Sequence, residues 1–461
     1  MTRAEKLGKE PIGVLLREQA IPASVGMLVM SIYGIIDTIF VGQYVGSIAI
    51  AAITVIMPIT FLIGSIGMAI GIGGSSIISR ALGESDQTKA AVVFGNQVAL
   101  ILFFCSIAII GGWFYQEPLL KLFGGKGDIL PAAKEYFSLI LPSIPFLAWA
   151  MMCNTVIRAE GQPKMAMITL LVPAFVNLIL DPLLIVYFEM GLAGAAWATT
   201  AGYISSGLFT LWYFVSGKST LKLQRTNLNL QAPIVKEIFS LGGVTLARQG
   251  IISILAIVLN NTLFSYGGAL AISVYGIIQR VMMFANFPVI GITQGFLPIA
   301  GYNYGAKNWD RVRETIRLSI KSGTIIAVGL FACILLFAPQ LTKLFTYEEA
   351  LIQQATPALR MSFLATPVIL IQLIGSAYFQ AIGKAVPALF LTLTKQGFCL
   401  IPLLIILPPI WGLNGVWLSF PIADVLAASI CFFYLRKGMR KMGKEDSAKK
   451  EIKEVRTMSD V

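Results

Sequence analysis

Three carboxylates in this chain stand where hydrocarbon should surround them. Asp37, Asp181 and Asp424 fall well inside long apolar stretches, while the other acidic residues lie outside them. An ionised carboxylate at mid-bilayer costs about 3 kcal/mol on insertion scales, so each needs a positive partner or a task. Asp424 has candidate partners in the apolar stretches of its own half, Lys395 first among them. Asp37 and Asp181 have no Lys or Arg inside the first six stretches. A carboxylate so stranded must take up a proton or a metal cation. Asn177 and Asp181 are one helical turn apart and share a face. Thr38 follows Asp37, and Thr199 lies in the next stretch. Carboxylate, amide and hydroxyl oxygens are the hard ligands that alkali ions prefer. Asp37, Asn177, Asp181 and Thr199 therefore form a candidate cation-coupling site for H+ or Na+. The chain has no histidine, so any proton relay must run on carboxylates, hydroxyls and water.

The same absence removes HExxH zinc sites and Ser-His-Asp triads. Gly71-Ile72-Gly73-Gly74 lies within an apolar stretch and fits close helix packing better than nucleotide binding. The expectation is a protein that is not an enzyme and carries no cofactor beyond its coupling ion. Cys105, Cys153, Cys333, Cys399 and Cys431 lack paired spacing and read as small membrane-helix residues.

The elements that must hold these residues are membrane helices. Of 461 residues 56% are hydrophobic and only 13% charged, and the mean hydropathy is +0.79. The apolar residues come in runs long enough to cross a hydrocarbon core of about 30 Å as helix. Twelve such runs are expected, the first near 20–40 and the last near 412–435. Lys and Arg crowd into the termini and even-numbered connections, with few in the odd ones (Lys121, Lys126, Lys134, Lys343 and Arg360). That asymmetry places both termini in the cytoplasm, with the polar start before Ile21 as a cytoplasmic entry. It also explains the net charge of +12 without a nucleic-acid partner.

The chain repeats itself. Asp37-Thr38-Ile39-Phe40, leading to Tyr44 and Gly46, returns as Asn261-Thr262-Leu263-Phe264, leading to Tyr266 and Gly268. Past a two-residue gap the register holds: Gly83 matches Gly305, and Ala159 and Gly161 match Ala381 and Gly383. One further residue is lost before Gly191 matches Gly412. The expected domains are an N-terminal six-helix lobe at 10–225, a C-terminal six-helix lobe at 226–440 and a charged cytoplasmic tail at 441–461. An even helix number per lobe gives the lobes one membrane orientation and a pseudo-twofold axis along the normal.

The stretches IYGIIDTIFVGQYVG, IAAITVIMPI, SSIISRALGES, RAEGQPK and QGFLPIAGYNYGAKNWDRVRE, in context, resemble multidrug and toxic compound extrusion (MATE) transporters of the DinF-like branch. The resemblance covers about 10–440. It implies an all-α integral membrane fold: twelve transmembrane helices in two pseudo-twofold-related six-helix bundles forming a V-shaped central cavity. It implies an antiporter of the bacterial inner membrane, working as a monomer among membrane lipids, that exports organic cations in exchange for H+ or Na+. By the same resemblance Asp37, Asn177, Asp181 and Thr199 match the coupling site, Tyr136 and Asn154 match polar cavity residues, and Pro22 matches a proline that bends the first helix. Tyr33 and Met27 are added as cavity candidates on that first helix. The second half departs from the NorM-like branch, offering Thr245, Arg248 and Gln249 where that branch has a seventh-span acid. The alternatives are a lipid-linked oligosaccharide flippase of the same superfamily, which needs several cavity arginines, and a channel.

Overall fold

The computed structural model describes residues 3–222 and 224–459, with side chains at 3, 441 and 443–459 outside the described set. Within them the chain is helical. Ten helices are long and apolar enough to cross a membrane. We number the membrane helices α1 to α12 along the chain. The first five are α1 (Ile12–Tyr44), α2 (Ser47–Gly83), α3 (Gln87–Phe114), α4 (Ile129–Ala159) and α5 (Pro163–Tyr187). A 25-residue helix, α6 (Gly191–Val215), is not among the ten, because its Gly, Ala, Ser and Thr residues dilute its hydropathy. The helix Ala232–Gly305 has 74 residues. At 1.5 Å per residue it runs about 110 Å, too long for one crossing. It breaks at Gly268, where φ is 62° and ψ −157°, into α7 (232–267) and α8 (269–305). The last four are α9 (Trp309–Lys343), α10 (Glu349–Ala381), α11 (Ala385–Ile406) and α12 (Pro408–Arg440). Twelve spans result, as the hydropathy predicts. The tail expected at 441–461 begins as a continuation of α12, and its side chains fall outside the described residues, Met442 excepted.

The internal repeat is written into the backbone. Left-handed residues recur in register: Gly46 with Gly268, Ser85 with Lys307, Gly161 with Gly383, and Gly191 with Gly412. At the end of α4 the Gln162 amide donates to the Ile157 carbonyl, and at the end of α10 the Lys384 amide donates to Phe379. These six-residue closures need a left-handed residue at the bend, which Gly161 and Gly383 adopt without a Cβ clash. Side chains repeat as well. Asn154 Nδ2 donates to the Ala166 carbonyl, and Ser376 Oγ donates to Ala388. Prolines mark matching irregularities: short 3-10 turns interrupt α4 at Leu141–Ser143 and α10 at Thr366–Val368.

The residues form two compact units. One comprises residues 3–6 and Ile21–Leu246; the other comprises Leu7–Ala20 and the chain from Ala247 onward. These divisions differ from the repeat boundary near 225, and buried polar side chains explain why. In the first unit Asn96 donates through Nδ2 to the carbonyls of Asn227 and Asn229 and accepts from the Gln231 amide. Glu160 Oε1 accepts from Ser219 Oγ and from the Thr220 amide and hydroxyl. The connecting segment is thus fastened to the first unit, and the start of α7 follows it. In the second unit Asn303 and Arg311 donate to the Leu7 carbonyl, and Arg311 also to Glu10. That holds the chain's entry segment to the later helices.

Small residues let α2 run close to its neighbours. A Cβ on Gly67 would fall 2.4 Å from the Ala148 carbonyl oxygen, and one on Gly71 would fall 2.9 Å from Met152 Cα. One on Gly73 would meet the Ile238 carbonyl at 2.2 Å. The Gly-Ile-Gly-Gly run therefore serves close packing, as read from the sequence.

Candidate functional site

The site lies in the first unit and draws on four helices. Helix α1 carries Asp37 and, one turn earlier, Tyr33; α4 carries Tyr136; α5 carries Asn177 and Asp181; α6 carries Thr199 and Tyr203. Asp181 is fully buried, and Asn177, Tyr136 and Thr199 are buried with it, while Asp37 is half-buried. The Asp37 and Asp181 carboxyls approach within hydrogen-bonding reach of each other. Written as two carboxylates, neither can donate. Both Asp181 oxygens and one Asp37 oxygen are then buried without a partner, as are both side-chain polar atoms of Asn177. One shared proton would pair one oxygen of each carboxyl, and one cation could draw on the carboxylate and amide oxygens of the set. Beside them Tyr136 Oη and Thr199 Oγ1 lie 3.3 Å apart. Thr38 turns away and donates to the Gly34 carbonyl at 2.8 Å.

A pocket opens next to the acids, lined among others by Met30, Tyr33, Met151, Thr169, Tyr203 and Ser206. Tyr33 thus stands between acid pair and pocket. Met27 is not part of that lining. Asn154, on α4, faces the start of α5: its Nδ2 bonds the Ala166 carbonyl and the Thr169 hydroxyl at 2.5 and 2.6 Å. It reaches the pocket wall through Thr169. Pro22 lies inside α1, which runs through it without leaving helical geometry.

Sequence reasoning missed Tyr203, although its spacing from Thr199 puts both on one face of α6. The helices also extend beyond the apolar runs and take in Arg17, Arg80, Lys89, Lys134, Arg158 and Lys164, of which Arg158 is the buried one. Hydropathy falls at RAEG, yet α4 continues to Ala159 and buries Arg158. Its Nε donates to Asn154 Oδ1 at 3.3 Å, while Nη1 and Nη2 find no partner. The first six spans thus hold bases, contrary to the expectation from the apolar runs. Arg158 does not neutralise the acids, however. Asn154 anchors it at the level of Thr169, twelve residues and about 18 Å along α5 from Asp181. Among the described residues neither Asp37 nor Asp181 makes an ion pair. Asp424 does, with Lys395 Nζ 2.6 Å away, the pairing favoured from sequence. No group of three or more His, Cys, Asp or Glu that could hold a metal ion occurs among the described residues.

A twelve-helix duplicated membrane protein with buried, unpaired acids in its first half defines a class, the multi-pass membrane transporters. The MatE family model matches residues 22–183 and 246–406, once in each repeat, and the chain belongs to that family of membrane transporters. It is not an enzyme. Its relatives include the multidrug export protein MepA of Staphylococcus aureus strain NCTC 8325, 28% identical over 434 residues, covering 93% of this chain and 95% of that protein. MepA of Staphylococcus haemolyticus is 28% identical over 414 residues, covering 90% and 91%. Among solved structures, a MATE transporter crystallised in a bent conformation superposes with a TM-score of 0.91 at 26% identity, covering 97% of this chain and all of that one.

Proposed function

We propose that this chain is an antiporter of the bacterial inner membrane, both termini cytoplasmic, that exports organic cations in exchange for H+, with Na+ as the other candidate ion. The names of the MepA relatives support drug export. The observation that carries the coupling is the fully buried Asp181 meeting Asp37 with no base beside either. Two carboxyls within reach of one another favour a single shared proton, since like charges in low dielectric repel strongly. Uptake of that proton ties α1 to α5 through the acid pair. Its loss leaves two carboxylates that push α1 away, and α1 also carries Met30 and Tyr33 of the pocket wall. Proton occupancy and pocket shape are thereby linked through one helix. One charge moving inward draws about 2.3 kcal/mol per 100 mV, enough for a gradient of tens-fold.

The flippase alternative asks for several free basic groups. Of the three bases in the second half's mid-span stretches, Arg248, Arg280 and Lys395, the last is committed to Asp424. The test is dye efflux from everted vesicles with proton and sodium gradients imposed separately. A proton gradient should drive efflux by the wild type and not by Asp37→Asn; full efflux by that variant would end the coupling assignment. Drive by sodium alone would keep the site and change the ion.

A further inference from the structure

The second unit carries positive charge that nothing in its spans balances. Among the described residues Asp424 is the one buried acid of its membrane helices, and Arg248, Arg280 and Lys395 stand among their bases. Asp424 is taken by Lys395. Arg280 is exposed, whereas Arg248 is half-buried. Neither arginine makes an ion pair among the described residues. On α7, Arg248, Ile251 and Leu255 follow at three and seven residues and so share one face. Leu255 is buried in the unit's apolar core. The Ile251 side chain lies 3.4 Å from where a Cβ of Gly397 would stand. Gly397 belongs to a π-helical turn, Thr394–Leu400, within α11, and Lys395 is carried on the same turn. The face with Arg248 thus packs on the turn that presents the Lys395–Asp424 pair. Such turns inside helices often accompany functional sites.

The repeat sharpens the contrast. In its register Lys395 corresponds to Pro173 and Asp424 to Tyr203, two residues that line the pocket of the first unit. The second unit has placed an ion pair where the first has a pocket wall, and has set an unpaired guanidinium beside it. A guanidinium in a membrane interior calls for an anionic counterpart, and its planar fork matches a carboxylate.

We propose that Arg248 forms an oxyanion site in the second unit and receives the carboxylate of substrates that carry both an anionic and a cationic group. This rests on the export reading above and names its substrate class. Lys395 and Asp424 position the site: Asp424 occupies Lys395, so the carboxylate is directed to Arg248 alone.

The test uses the purified full-length protein in nanodiscs of zwitterionic lipid. Fluorescence anisotropy measures binding of a rhodamine with a free carboxylate and of its ethyl ester, which keeps the ring cation and loses only the anion. The wild type should prefer the free acid, and Arg248→Gln should lower the acid-to-ester affinity ratio about tenfold, the equivalent of one charge-assisted hydrogen bond. Arg248→Lys keeps the charge without the fork and should lower the ratio by less; it also serves if the Gln variant does not fold. A ratio unchanged in the variants overturns the proposal. So does displacement of the free-acid dye from the wild type by added phosphatidylglycerol, which would assign the guanidinium to a lipid headgroup. Proton-driven export of the ester tests Asp37 and does not involve the carboxylate, so failure of one reading is told apart from failure of the other.

Discussion

At the scale of single residues, the chemistry turns on which buried polar atoms lack partners. Tyr136 and Thr199 share one 3.3 Å contact beside the acids. Removing the hydroxyl with Tyr136→Phe should cost about 1 kcal/mol, read as a several-fold rise in the proton concentration needed for half-maximal efflux. An unchanged proton dependence would detach that pair from the coupling site. Asn154→Ala removes the sole hydrogen bond of the buried Arg158 side chain. A buried charged group stripped of its partner costs about 1–3 kcal/mol, so the melting temperature should drop by several degrees. Glu117, outside the spans, behaves differently. Lys121 and Lys134 hold its carboxyl down at about 2. A depressed carboxyl contributes from above its ordinary range and loses that contribution only as pH falls toward the depressed value. Between pH about 5.5 and 8 the triad stays charged, and Glu117→Gln should leave the pH profile of efflux where it is. A shifted profile would show that these charges take part in proton coupling.

At the scale of elements, α1 and α2 are the helices under most constraint. Gly67 has no room for a side chain against α4, whereas Gly111 in α3 has nothing within 4 Å of a Cβ. Gly67→Val should therefore lower the yield of folded protein sharply, and Gly111→Ala should not; detergent-solubilised, size-exclusion-resolved protein measures both. Pro22 removes one amide donor from α1 without breaking it. Pro22→Ala restores that bond and should stiffen the helix, slowing turnover more than it changes dye affinity. Steady-state efflux against equilibrium binding separates the two.

At the scale of the molecule, the connection between the repeats is a fastened strap. Asn96 binds its backbone at three points, and the carboxylate of Glu160 receives its other end. Trypsin sites at Lys218, Lys222 and Arg225 lie in this segment. Asn96→Leu should speed cleavage there several-fold over the wild type in limited proteolysis, because exposed backbone is what proteases capture. Equal rates would mean that the strap is held by other contacts.

The sequence alone determined that this is a duplicated membrane protein of twelve helices with two acids in oil. Hydrophobic run length, charge asymmetry and repetition are one-dimensional quantities, and the bilayer converts them directly into topology. Gly268 and Gly412 were legible as repeat marks for the same reason: a left-handed bend needs a particular residue type wherever it occurs. Other features were decided only in three dimensions. Hydropathy could not tell that α4 carries Arg158 inside, that Thr38 bonds its own helix, or that Asn154 faces Thr169. Those outcomes depend on which face of a helix meets which neighbour, and a few degrees of rotation decide that. The pairing of Lys395 with Asp424 and the isolation of Arg248 share that origin, since whether two charges meet is a matter of distance between helices, which spacing along a chain does not encode.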